Sequence, residues 1–152
     1  MESKILNKEF VIENGLECEK LYCDCNKYGD REFEINKEDK ELMFSGISYT
    51  LYENGNLDFY CNYKDGFKEG EYVEFYKDGQ LMKRQIMKHG KTNGKREEWY
   101  PSGLIKRISE YRYGICLSYT EWDENGNIID EKKEPTEGEM VLIRKFESMN
   151  YE

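Results

Sequence analysis

Four groups of side chains in this chain could do chemistry. The only histidine, His89, stands in "MKHGK" directly before Gly90. A general base needs a positioned partner within hydrogen-bond reach, and nothing nearby supplies one, so His89 reads as a solvated turn residue. Cys18, Cys23 and Cys25 could bring three thiolates to zinc, but "CDC" lacks the usual two-to-four-residue spacing and no fourth ligand is evident. The acids of "EINKEDKE", Glu34 to Glu41, lack the Asp/Asn-Gly-Glu order of a calcium loop and read as solvated loop. No phosphate loop, dinucleotide fingerprint, HExxH or GxSxG occurs, so no enzyme, cofactor or metal is expected. The fourth group is tyrosines and carboxylates at recurring positions: Tyr52, Tyr72, Glu74, Tyr76, Glu98, Tyr100, Tyr119 and Glu121, with Glu32 and Glu34 upstream. Their chemistry is contact, because Tyr offers a large amphipathic surface with only two torsions to freeze and Glu attracts basic partners.

What positions these residues begins with composition. The 152 residues suit one domain. Only 38% are apolar and 36% charged, and mean hydropathy is -0.96, so a thin layered or elongated fold is expected. With 13 Tyr, 7 Phe and 2 Trp against 2 Pro, the aromatic content favours half-wet β-strands. "MESKILNKEF" holds no apolar leader, no run of about 18 apolar residues follows, and five unframed cysteines fit a reducing compartment. The expectation is a cytoplasmic protein without disulfides. Net charge is -9, with 12 acids against 7 bases in residues 1–45 and 7 against 7 in residues 46–93. Nucleic acid is therefore disfavoured and a basic partner preferred.

The chain repeats itself every 24 residues. "GISYTLYENGNLDFYCNYKDGFKE" from Gly46 aligns with "GEYVEFYKDGQLMKRQIMKHGKTN" from Gly70 and "GKREEWYPSGLIKRISEYRYG" from Gly94. Turn glycines fall at Gly55, Gly79, Gly103 and Gly126, and a second set at Gly66, Gly90 and Gly114. A fourth copy from Leu117, "LSYTEWDENGNII", lacks its opening glycine. The units span 46–69, 70–93, 94–116 and 117–130. Before Gly46 the pattern decays, keeping Gly29, replacing the next glycine with Lys40, and placing a further turn at Gly15; residues 1–45 read as degenerate, acidic β-hairpins or cap.

Each unit reads as strand, turn, strand, turn. A two-residue first loop would oppose Tyr52 to Leu57 and Asp123 to Ile128. A three-residue loop, closed by a left-handed glycine, opposes Leu51 to Leu57, Phe75 to Leu81, Trp99 to Ile105 and Trp122 to Ile128, four apolar pairs, and is preferred. Alternation then puts Ile47, Tyr49, Leu51, Val73, Phe75, Trp99 and Trp122 on a core face. Tyr52, Tyr72, Glu74, Tyr76, Glu98, Tyr100, Tyr119 and Glu121 form a stripe on the other face, either covering the sheet or binding a partner. Residues 131–152 change character: Thr136 and Glu139 form a capping box before Met140, Ile143 and Phe146, predicting a helix from about Glu137 to Met149 over the last repeat.

The unit "GEYVEFYKDGQL...KHGKTNG" resembles the MORN-repeat variant of bacterial proteins, in three good copies between Gly46 and Gly114 and one partial copy. The resemblance implies a mainly β fold, a single-layer antiparallel β-meander of hairpin repeats, here with a short C-terminal capping helix. Small bacterial proteins built of this variant are often antitoxins or toxin-immunity proteins, which implies a non-catalytic protein that neutralises a basic toxin domain, such as a nuclease. The alternative it implies is a structural scaffold or membrane-associated adaptor, although no polybasic cluster favours anionic lipid.

Overall fold

The computed structural model describes residues 4–26, 29–35 and 41–149, with the backbone alone at 22–26, 29–35 and 41–42. Helix α1 (Lys8–Asn14) leads into β1 (Gly15–Glu17), a 3-10 turn (Cys18–Lys20), β2 (Tyr22–Asn26), β3 (Gly29–Ile35) and β4 (Glu41–Met43). The repeats then give β5 (Gly46–Leu51), β6 (Leu57–Lys64), β7 (Phe67–Phe75), β8 (Leu81–Lys88), β9 (Lys91–Trp99), β10 (Ile105–Arg112), β11 (Ile115–Trp122) and β12 (Ile128–Lys132), and α2 (Glu137–Ser148) closes the described chain. Strands β5 to β12 form an antiparallel meander, β1 adds to β5 in parallel, and the nine-stranded sheet stays open because β1 and β12 do not pair. Strands β2, β3 and β4 make a separate antiparallel sheet.

Two turn chemistries alternate along the meander. At the first turn of each unit a glycine closes a three-residue loop: Gly55 N donates to Tyr52 O at 2.9 Å, Tyr52 N to Asn56 O at 2.8 Å, and Gly55 has φ 85°. All four expected apolar pairs lie opposite each other, Leu51 with Leu57, Phe75 with Leu81, Trp99 with Ile105 and Trp122 with Ile128. Beyond each pair one extra residue bulges on the return strand, at Asp58, Met82, Lys106 and Ile129, so the side-chain alternation shifts by one. The second turns have two residues, both left-handed: Asp65-Gly66, His89-Gly90 and Tyr113-Gly114, the backbone of a type I′ hairpin.

Hydrogen bonds cross from unit to unit at both edges of the sheet. On the first-turn edge, Tyr52, Tyr76 and Tyr100 hydroxyls donate to the carbonyl oxygens of Phe75, Trp99 and Trp122 at 2.7, 2.8 and 2.8 Å. On the second-turn edge, the Gly66, Gly90 and Gly114 amides donate to the carbonyls of Phe44, Lys68 and Thr92. The preceding left-handed residues donate to side chains one unit back, Asp65 N to Ser45 Oγ, His89 N to Glu69 Oε2 and Tyr113 N to Asn93 Oδ1. Turn amides that would otherwise face water are thus held by the neighbouring repeat.

The core is split across the sheet instead of lying on one face. On the face that carries Trp99, α1 lays Val11 against Tyr49, Leu57, Tyr60 and Val73, with Ile5 and Leu6 beside them, and the Tyr60 hydroxyl accepts from Leu6 N at 3.0 Å. On the face that carries Glu98, Phe44, Cys61 and Tyr63 pack with Leu16, Leu21, Phe59 and Tyr72. The N-terminal segment therefore covers both faces of β5 to β7. Residues around Gly15, expected as a hairpin turn, instead end a helix: Asn7 caps it by accepting from Phe10 N at 2.8 Å. Gly15 has an ordinary φ, but a Cβ there would lie 2.6 Å from Val11 O and 2.9 Å from Tyr49 Cδ1, so its role is close approach of α1 to β5. Lys40 lies outside the described residues.

Helix α2 follows the capping box, Thr136 Oγ1 accepting from Glu139 N and the Glu139 carboxylate from Thr136 N. It lies across strands as well as past the last one. Glu139 grips Lys132 of β12 at 2.7 Å, Glu147 meets Arg112 at 3.2 Å, and Phe146 stacks on Tyr113 with the Lys91 ammonium 4.3 Å from its ring centre. Lys132 stands opposite Tyr119 in the ladder, so this contact is made from the Glu98 face.

Candidate partner-binding surface

Five of the expected residues, Tyr72, Glu74, Glu98, Tyr119 and Glu121, fall in two parallel rows on the Glu98 face, while Tyr52, Tyr76 and Tyr100 lie at the first-turn edge. One row runs Glu74, Lys83, Glu98, Arg107, Glu121 and Asp130, each directly opposite the next. The other runs Tyr72, Gln85, Arg96, Ser109, Tyr119 and Lys132. Glu74 lies 3.2 Å from Lys83, Glu98 3.2 Å from Arg96 and Glu121 3.6 Å from Arg107, whose guanidinium sits 3.9 Å over the Tyr119 ring. The two rows balance four acids, Glu74, Glu98, Glu121 and Asp130, against four bases, Lys83, Arg96, Arg107 and Lys132. Lys83 and Arg107 come to this face through the bulges at Met82 and Lys106, since plain alternation from Leu81 and Ile105 puts them on the opposite face, whereas Arg96 reaches it by regular alternation from Glu98.

The stripe tyrosines are all engaged. Tyr72 donates to Glu74 at 2.6 Å, stacks on Phe59, and is raised well above the usual phenol range by burial first and by Glu74 second. Tyr119 donates to Asp130 at 2.8 Å, and that bond is the main cause of its raised pKa. Tyr52, Tyr76 and Tyr100 tie repeats together, and partial burial beside Asp58, Glu98 and Glu121 respectively raises them too. The Glu32 and Glu34 side chains, like those of Cys23 and Cys25 and the acids through Glu41, lie outside the described residues. Cys18 Sγ lies 2.8 Å from Ser48 Oγ, and burial pushes the Cys61 thiol up to about 12. Among the described residues no His, Cys, Asp and Glu side chains cluster in a way that could hold a metal. Nor is any described helix long and apolar enough to cross a membrane.

The surface left uncovered is the far end of the expected core face. Beyond α1, the Trp99 face carries half-buried Trp99, Ile105 and Trp122 and exposed Leu104 (51%) and Ile128 (57%). Sequence reasoning assigned Trp99 and Trp122 to the core because it had no means of limiting how far a cover reached. The cluster around Val11 of short α1 takes in Tyr49, Leu57, Tyr60, Val73, Phe75 and Leu81 and includes neither Trp99 nor Trp122.

The architecture defines a repeat protein, an open meander of tandem hairpins tied unit to unit. Its first two hairpins, residues 45–65 and 68–89, match the MORN repeat variant. The hairpins β9–β10 and β11–β12 continue the first-turn geometry outside the matched residues. No curated protein matches the chain.

Proposed function

We propose that this protein is a non-catalytic binding protein of the immunity or antitoxin type, which neutralises a basic toxin domain by occluding it. MORN repeats suggest a binding or scaffold role, and the toxin partner is the finer step taken here. The observation that carries it is the uncovered apolar strip of Trp99, Ile105, Trp122 and Ile128 on a sheet locked at every repeat. A contiguous apolar patch on a preorganised surface is what a protein partner buries with little ordering entropy. The net charge of -9 supports a basic partner, since opposite fields speed encounter.

The test is genetic and then biochemical. The product of the adjacent reading frame is expressed with and without this protein; arrested growth that co-expression relieves, together with a co-eluting complex, supports the reading. Neighbours whose products are harmless, or toxicity that persists, overturn it. The scaffold or membrane-adaptor reading draws on the second-turn edge, where Lys64, Lys88, Lys91 and Arg112 are exposed. Arg112 already pairs with Glu147 and Lys91 lies over Phe146, which leaves a weak field for anionic vesicles. Pelleting with such vesicles decides between the readings.

A further inference from the structure

We propose that the sheet surface around Trp122 is a groove for an extended protein segment that carries lysines or arginines together with an apolar anchor residue. This rests on the reading of the molecule as a binder of a basic protein, and it names where that protein is held.

Two depressions of about 300 Å³ each flank Trp122. On one side the walls are Ile108, Glu110, Ser118, Thr120 and Glu131, all placed on the Trp99 face by the ladder register. On the other side they are Leu104, Ile105, Asp123 and Glu124. The Trp122 ring is the common wall, so a segment crossing it meets an apolar floor with a shallow seat before and after. Each volume sits at the low end of ligand cavities and both are open, which suits one large side chain apiece and not an enclosed cofactor. Trp at the centre of such a patch is the residue type most often found to dominate binding at protein interfaces.

The rim decides the charge of the occupant. Four acids border the two seats, Glu110 and Glu131 beside one and Asp123 and Glu124 beside the other. Glu110 and Glu124 form no ion pair among the described residues. Asp123 is kept ionised by the Asn127 and Asn125 backbone amides, which hold it below the usual carboxylate range. Two bases line the first seat: Lys132, whose ammonium is already held by Glu139 at 2.7 Å, and Lys133, which reaches Glu131 only at 3.9 Å and is largely exposed. An apolar seat with an acidic rim rejects nucleic acid and acidic peptides and accepts a basic segment through both contacts at once. The two rows on the Glu98 face offer no such imbalance, because their four acids meet four bases.

The experiment uses the full chain and two synthetic peptides of equal length, one alternating Lys and Leu, the other Glu and Leu. The chain has 2 tryptophans, so its indole N–H resonances separate Trp122 from Trp99. The Lys-Leu peptide is expected to shift the Trp122 resonance saturably, the Glu-Leu peptide to leave it in place, and Glu110→Lys with Glu131→Lys to weaken binding about tenfold. Both substitutions are at exposed positions, and an unchanged unfolding midpoint shows that the fold survives. A Lys-Leu peptide that leaves Trp122 fixed overturns the groove. With the adjacent gene's product as ligand, equal binding by wild type and double variant removes the groove and leaves the binding function standing. No complex with either protein, while the peptide still seats at Trp122, removes the toxin reading and leaves the groove.

Discussion

The Tyr76 hydroxyl donates to the Trp99 carbonyl oxygen at 2.8 Å, from the turn of one repeat to the end of the first strand of the next. A residue read from sequence as either a cover for the sheet or a contact for partners ties two repeats together. Tyr76→Phe removes only the hydroxyl and should lower stability by about 0.5–1.5 kcal/mol. Urea unfolding followed by circular dichroism, with an unchanged slope, is the check; a midpoint equal to wild type contradicts the tie.

Glu98 stands between Lys83 on one side and Arg107 on the other, and bonds Arg96. Glu98→Lys would align three cations across neighbouring strands. A loss of roughly 1 kcal/mol is expected, since like charges directly opposite destabilise a ladder, and high salt should restore part of it by screening. Were Glu98 a free partner-binding carboxylate instead, reversal would leave the unfolding midpoint alone.

Glu139 has its pKa lowered from the ordinary 4.5, first by the Lys132 hydrogen bond and then by the Thr136 amide. A carboxyl with a depressed folded-state pKa stabilises the fold fully above its unfolded value and loses that contribution as pH falls through the folded one. Detachment of α2 is therefore expected to set in below about pH 4.5. Tyr113 fluorescence or hydrogen exchange across α2 reads it, and in Glu139→Gln that acid-dependent step should disappear.

Cys61 is fully buried, and its thiol is raised to about 12, so almost no thiolate exists at neutral pH. Native protein should withhold Cys61 from alkylation until the β5–β7 region opens. Mass spectrometry of partly labelled protein, with labelled Cys18 or Cys116 as internal comparison, tests this. Early labelling of Cys61 would show that its cover is loose.

The register was legible because two independent signals agree at each first turn: a glycine where φ must be positive and an apolar pair that meets only if the loop has three residues. The capping box of Thr136 and Glu139 was legible for the same reason. Alternation, however, was read only along the first strand of each unit. The return strands, where the bulges at Met82 and Lys106 set Lys83 opposite Glu74 and Arg107 opposite Glu98, were left unassigned, so the bases within the tyrosine and carboxylate stripe went unseen. Helix α1 was hidden because Gly15 resembles a repeat glycine while acting as a close-packing residue. The uncovered Trp122 depended on the reach of α1, a long-range fact with no local signature.

Both kinds of tie, tyrosine to carbonyl at one edge and glycine amide to carbonyl at the other, join a unit to its immediate neighbour through positions that recur in each copy. An in-frame duplication of 24 codons would thus insert a module whose joints already fit on either side. The series ends where Asp123 occupies the tyrosine position and turns its carboxylate onto its own loop. Length in this protein is a heritable, adjustable quantity, and the reach of its sheet could be tuned to a partner without redesigning a single contact.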